Sequence, residues 1–330
     1  KGSALTLGAV LQGLAQFRQP SQVAGVLLNG TTPAMAARLS QDIQRETGLP
    51  VLGCLPRLPE CSIPSRHLGL YTPGEIKDLG ERVEKLADAL EQYADVDGLL
   101  ELAQSAPPLE IPEEQERPEA PAGVLAVSWD EAFCFYYHEN LELLKRCGLA
   151  IVKFSPLSDK QLPEGTCGVY LGGGYPELYA QMLSENVSMR KALREVAEAD
   201  MPILAECGGF LYLQQTLEDS QGKAWPMTGI LEGAGYRTGR LQRFGYVTLH
   251  SLEDSAYLRS GETVAAHEFH RWDCTQNGQA CLAQKPESEK HWNCMVCKGN
   301  LLAGFPHLYL PSCPQVARRF SDACRRWKER

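Results

Sequence analysis

AECGGF, residues 205–210, sets a cysteine and two glycines between contrasting neighbours. The residues leading into it, ADMPILAE (199–206), form a short apolar run entered through a proline, and FLYLQQTLED (210–219) can start a helix. Strand, tight turn and helix together lift a nucleophile clear of a sheet. Cys207 is then a candidate nucleophile, because N–H groups at the start of the following helix favour thiolate over thiol. Gly208 and Gly209 leave room for a substrate carbonyl and offer N–H donors to a developing oxyanion. The same six residues equally describe a buried thiol beside a glycine turn.

A second turn of this kind is GGGYPE (172–177), directly after the apolar run CGVYL. Three glycines allow a tight turn that presents N–H donors, and Pro176 fixes the exit to the next helix. Gly173 and Gly174 are therefore candidate oxyanion donors beside Gly208. A cysteine nucleophile needs a base, and seven histidines are available. His267 and His270 lie in AAHEFHRWDC (265–274), where strand alternation sends 267 and 269 to one face and 268 and 270 to the other. His307 lies in GFPHLYLP (304–311). Spacing does not choose among the three.

HEFH lacks the helical spacing of zinc-protease histidines. A weak zinc set is offered by His291, Cys294 and Cys297 in HWNCMVC (291–297) together with Cys281. The alternative is an insertion of ordinary thiols in a reducing compartment.

The composition narrows the classes. With 41 acidic against 32 basic residues, a net charge of −9 and no basic block, nothing invites a phosphate backbone, so nucleic acid is excluded as an expected partner. No run reaches the length of a membrane span, and KGSALTLGAVLQGLAQF at the start lacks the basic region and long apolar core of a secretion signal. The expected location is the cytoplasm. Twelve cysteines spread over 330 residues, several within strand-like runs, read as reduced core residues.

A length of 330 residues suggests two domains. Residues 105–122, crowded with proline and glutamate and without apolar period, read as a linker between domains over 1–104 and 123–330. Upstream, VAGVLLNG (23–30) and LPVLGCLP (49–56) read as strands, with helices over MAARLSQDIQRETG (35–48) and about 74–93. Downstream, GVLAVSWD (123–130), LAIVKFSP (149–156) and CGVYLGGG (167–174) read as strands; ENLELLKRCG (139–148) and residues 178–200 read as helices. The alternation predicts α/β architecture with open, mostly parallel sheets. No Gly-x4-Gly-Lys-Ser/Thr loop occurs.

With these residues laid out, the chain resembles the cobyrinic acid a,c-diamide synthase family, glutamine-dependent amidotransferases of corrinoid synthesis. The similar stretches include SALTLGAVLQG, VAGVLLNG, PVLGCLP, IPSRHLGL with a following PGE, LGGGYPE, AECGGFLYL, MTGILEG, GYVTLH, HEFH and HLYLPSCPQVARRF, in order from end to end. The resemblance implies a P-loop-related, dethiobiotin-synthetase-like synthetase domain joined to a class I-like glutaminase domain. It implies Cys207 as nucleophile and His307 as its histidine, with His267 and His270 in an accessory segment. It also places Arg66, His67 and Glu75 in a substrate-side segment, where a guanidinium suits a carboxylate of a macrocycle. ATP and magnesium are implied cofactors, whose main loop would stand upstream of Lys1; glutamine and a corrinoid or related tetrapyrrole are implied substrates, and a homodimer is allowed. Alone, the chain is expected to act at most as a glutaminase. An amidotransferase for hydrogenobyrinate or nickel-sirohydrochlorin, and a non-catalytic remnant, stay open as alternatives. One departure stands out: many class I glutaminases carry a glutamate two residues after the histidine, and here that position is Tyr309.

Overall fold

The computed structural model describes residues 6–66, 69–70, 75–109 and 120–330. The chain divides into two compact units, residues 1–114 and 115–330. In the first, α1 (Thr6–Gln16) precedes β1 (Val26–Asn29), α2 (Pro33–Thr47) and β2 (Val51–Leu55). Short strands β3 (Ser65–Arg66) and β4 (Gly69–Leu70) come next, then α3 (Leu79–Tyr93) and α4 (Val96–Gln104). Helix α2 is set by its ends. Thr32 Oγ1 accepts the Met35 N–H at 3.3 Å, Pro33 opens the first turn, and Gly48 at φ +72° closes the last. Parallel strands β1 and β2 bury Val26, Leu28 and Cys54 against Leu11, Ala36, Leu39 and Ile43.

The second unit opens with β5 (Gly123–Ser128), β6 (Phe133–Phe135), α5 (His138–Arg146), β7 (Leu149–Phe154), β8 (Thr166–Leu171) and β9 (Gly173–Gly174). Then come α6 (Ala180–Glu185), α7 (Val187–Glu198), β10 (Ile203–Glu206) and α8 (Gly208–Tyr212). Short strands follow: β11 (Thr216–Glu218), β12 (Ala224–Pro226) and β13 (Ala234–Arg237). The long hairpin β14 (Arg243–Ser251) and β15 (Thr263–His270) leads to β16 (Trp272–Cys274), β17 (Cys281–Gln284), β18 (His291–Cys294), β19 (Val296–Lys298), β20 (Leu301–Gly304), β21 (His307–Leu308) and α9 (Pro314–Lys328).

The central sheet has the order β19-β20-β10-β8-β5-β7, with its last five strands parallel and β19 antiparallel at one edge. Alternation along its strands feeds two cores. Leu125 and Val127 face one with Leu144 of α5 and Phe320 of α9, while Ala126 faces the other with Leu193 of α7 and Phe210 of α8. Two further sheets flank it, β18-β17-β14-β15-β21 and β12-β11-β13-β16.

The helix expected over 178–200 is broken at Asn186. Its Oδ1 accepts from Met189 N–H at 3.4 Å to start α7, and its Nδ2 donates to the Pro156 and Asp159 carbonyls, both at 2.8 Å. Those buried bonds to a distant loop outweigh helix continuity. Helix α8 is likewise shorter than the sequence suggests, because β11 begins at Thr216.

Candidate active site

Three neighbouring parallel strands, β8, β10 and β20, end at one edge of the central sheet, with Leu171 opposite Ala205 and Glu206 opposite Gly304. The residues that follow them are Gly172–Gly174, Cys207 and the Phe305–His307 segment. The carboxyl ends of parallel strands leave a crevice where backbone groups face outward, and the sequence places its reactive groups there.

Cys207 joins β10 to α8 at φ +45°, ψ −98°, a conformation that costs a non-glycine residue about 1–3 kcal/mol. The turn is held by the Cys207 N–H donating to Gly304 O at 2.8 Å and the Leu211 N–H donating to Cys207 O at 2.9 Å. The residue is 7% exposed. Gly209 is required by close approach: a Cβ there would lie 2.2 Å from Leu171 O. Its N–H donates to Gly172 O at 2.9 Å, which corrects the expectation that both glycines face an oxyanion. Gly208 is the glycine that stands against the second loop, since a Cβ on it would meet Gly174 N at 3.0 Å. Gly173 faces the histidine instead: a Cβ on it would lie 2.3 Å from His307 Cε1.

His307 begins β21, opposite His267 of β15. The segment is pinned from both sides. Asn140, fully buried, donates through Nδ2 to Leu308 O at 2.6 Å and accepts the Leu310 N–H at 2.8 Å. Glu206 accepts the Leu308 N–H on Oε1 at 3.1 Å and brings Oε2 to 3.7 Å from His307 Nδ1. Burial works to discharge the imidazole, but the neighbouring Cys207 sulfur and Glu206 carboxylate outweigh it and raise its pKa to about 10. The arrangement therefore favours an imidazolium facing sulfur, the form that supports a thiolate nucleophile.

Of the other histidines, His267 is half-buried on the opposite face from Glu268 and His270. Burial lowers the His267 pKa and pushes that of His270 down to about 4. His270 stacks on Phe305 at 3.8 Å between ring centres, directly behind the His307 segment. Glu268 is fully buried, its pKa raised by burial to about 7, with Trp292 Nε1 donating to Oε1 at 3.3 Å. Among these histidines, His307 is the one whose protonation Cys207 favours.

The zinc set does not assemble. Cys281 and Cys294 oppose one another in β17 and β18, but His291 lies three residues from Cys294 on the exposed face, and Cys297 belongs to another sheet. An odd spacing along a strand sends side chains to opposite faces. His291 Nδ1 meets Glu289 O at 2.8 Å, and no cluster of three metal-ligating side chains occurs among the described residues. Arg66 falls in β3, His67 lies outside the described residues, and Glu75 is half-buried in the first unit.

The CobB/CobQ-like glutamine amidotransferase domain model matches residues 124–313, which contain every group just placed around Cys207. Cobyrinate a,c-diamide synthase of Caldanaerobacter subterraneus is 36% identical over 97% of this chain and 72% of its own length. The protein of the same name from Salmonella typhimurium is 38% identical over 99% of this chain and 72% of its own. The chain belongs to the cobyrinate a,c-diamide synthase family. As a member of that family of carbon–nitrogen ligases, it takes glutamine as its nitrogen donor. Among solved structures, PurLQS from Thermotoga maritima aligns with 62% of this chain and 97% of its own at TM-score 0.42 and 15% identity, so the assignment rests on the family match and the relatives. No described helix is long and apolar enough to cross a membrane.

In this family member the position two residues after the histidine, Tyr309, is 37% exposed, and its ring packs edge-on against Tyr137 with 5.7 Å between centres. The carboxylate facing His307 comes from Glu206, which the sequence motifs did not single out. One signal was present: ILAE ends an apolar strand on a charged residue, and a carboxylate in a fully buried strand demands a partner.

Proposed function

We propose that the second unit releases ammonia from glutamine and that the family enzyme uses it to amidate the a and c acetate carboxylates of cobyrinate. The observation that carries the reading is the juxtaposition of Cys207 and His307 at adjacent strand ends, within a chain similar to cobyrinate a,c-diamide synthases over nearly its whole length.

In this mechanism Cys207 Sγ attacks the side-chain amide carbon of glutamine, and the carbonyl π electrons move onto oxygen. N–H groups of Gly208 and the Gly173–Gly174 turn face that oxyanion; one such donor is worth about 10²–10³ in kcat. His307 gives its proton to the departing nitrogen as the C–N bond breaks, leaving a thioester and free ammonia. Water, deprotonated by the now neutral His307, adds to the thioester and expels the thiolate with glutamate. The buried position of Cys207 limits competing attack by bulk water.

Residues 1–104 are assigned to the synthetase half, related to P-loop ATPases, with 105–122 as the join and 123–330 as the glutaminase. Arg66, His67 and Glu75 are its proposed acceptor-side residues. The described part of this unit supplies no phosphate loop and no gathered metal ligands, so its residues do not by themselves fit ATP or magnesium, and the chemistry assigned to this chain's own side chains is ammonia release. The acceptor is tested by supplying glutamine, ATP, magnesium and one tetrapyrrole at a time. Two successive carboxylate-to-amide conversions of cobyrinate, read by mass spectrometry, are expected; preferential conversion of hydrogenobyrinate or nickel-sirohydrochlorin overturns the acceptor assignment.

A further inference from the structure

We propose that Glu206 is the positioning carboxylate of His307, supplied from the strand position immediately before the nucleophile. The role rests on reading Cys207 and His307 as the glutaminase pair. Glu206 is the last residue of β10, opposite Gly304 at the end of β20, and His307 lies three residues beyond Gly304. The end of one strand thus sends Cys207 and Glu206 toward the same imidazole. The carboxylate spans two partners: Oε2 stands 3.7 Å from His307 Nδ1, while Oε1 accepts the N–H of Leu308, the next residue in the chain, at 3.1 Å. One group therefore fixes both the ring and the backbone that carries it.

Burial makes the contact consequential. Glu206 is 1% exposed, and a charge removed from water persists only with hydrogen-bonded or charged partners. Its negative charge reaches Tyr136, Tyr137 and Tyr170 on the surrounding elements, but these are neutral phenols whose own ionisation burial opposes. The titratable groups whose charge is felt at His307 are Cys207 and Glu206 from the β10 turn, and His267, Glu268 and His270 from the two faces of β15. Glu206 is the carboxylate among them within ion-pair distance of the ring. Tyr309 leaves no acidic alternative at the position two residues after the histidine.

Glu206→Gln tests this directly, because an amide oxygen still accepts the Leu308 N–H while the charge is gone. Glutamate release is expected to lose about 10²–10⁴ in kcat, with KM held within about threefold, as when the orienting carboxylate of a triad is neutralised. The alkaline limb of the kcat–pH profile is expected to move down by at least about one unit, since the imidazolium loses its stabilising charge. Glu206→Asp, which keeps the charge, is expected to retain that limb near its original position. Alkylation of Cys207 by iodoacetamide supplies a readout without turnover: Glu206→Gln should slow it at least about tenfold in the parent protein and less than about twofold in a His307→Ala background, because the residue acts through the ring. Unchanged kcat and alkaline limb, or equal slowing of alkylation in both backgrounds, overturns the role. If Cys207→Ala still releases glutamate, the glutaminase reading itself fails; if Cys207 is essential and Glu206→Gln behaves as wild type, this inference alone fails.

Discussion

Replacing Gly173 with alanine drives a methyl carbon into His307. A Cβ built at this position lies 2.3 Å from Cε1 and 3.2 and 3.3 Å from the two ring nitrogens, where ordinary contact begins near 3.4 Å. The ring or the strand must therefore yield by about 1 Å, and a displacement of that size in catalytic geometry costs about 10² in rate. The backbone at Gly173 is outside the positive-φ region, so the substitution carries no conformational strain of its own and acts through the imidazole. The expected result is a loss of about 10²-fold in kcat for glutamate release, with overpacking lowering stability by about 1–3 kcal/mol in urea unfolding. A Gly173→Ala protein that unfolds at the parent's urea midpoint and releases glutamate within threefold of its rate would refute the placement of His307 against this turn.

Asn140→Ala should lower stability by about 2–4 kcal/mol in urea unfolding, because it removes the partners of Leu308 O and Leu310 N–H in the buried segment beside His307. It should also reduce kcat more than it raises KM. Cys207→Gly should abolish glutamate release yet raise the unfolding free energy by about 1 kcal/mol, since glycine accepts φ +45° without strain; a destabilised variant would count against a strained turn. For Glu268 the folded-state pKa is raised from 4.5 to about 7, so the folded protein holds that proton more tightly than the unfolded chain. Its contribution is fully present below pH 4.5 and is lost as pH rises through about 7, a loss of roughly 3 kcal/mol at most. Glu268→Gln, which cannot ionise, should therefore match the parent near pH 4 and exceed its stability by about 1–3 kcal/mol at pH 8; thermal unfolding across that range checks the sign.

Much of the site was legible because its signals are local. A proline-entered apolar run meeting CGG dictates a strand end and a sharp turn, and GGG after CGVYL dictates another. Alternation in HEFH correctly separated His267 from Glu268 and His270. What escaped was set by contacts between distant segments. Asn186 breaks a helically spaced run because its amide bonds a loop about thirty residues away. Gly209 looks like an oxyanion donor until Gly172 O is seen to take its N–H. Glu206 reads as the end of a strand, and its meeting with His307 depends on the adjacency of β10 and β20, which lie about a hundred residues apart in the chain. The zinc set failed for the opposite reason: residues close in sequence were dispersed to different faces and sheets.

The central claim is that Cys207 is a working glutaminase nucleophile. The measurement that tests it most directly is glutamate released from glutamine by this 330-residue chain and by its Cys207→Ala form, without ATP or acceptor. The account predicts slow release by the parent chain and none above background from the variant. Equal release by the two proteins, or none from a folded parent chain, would contradict it.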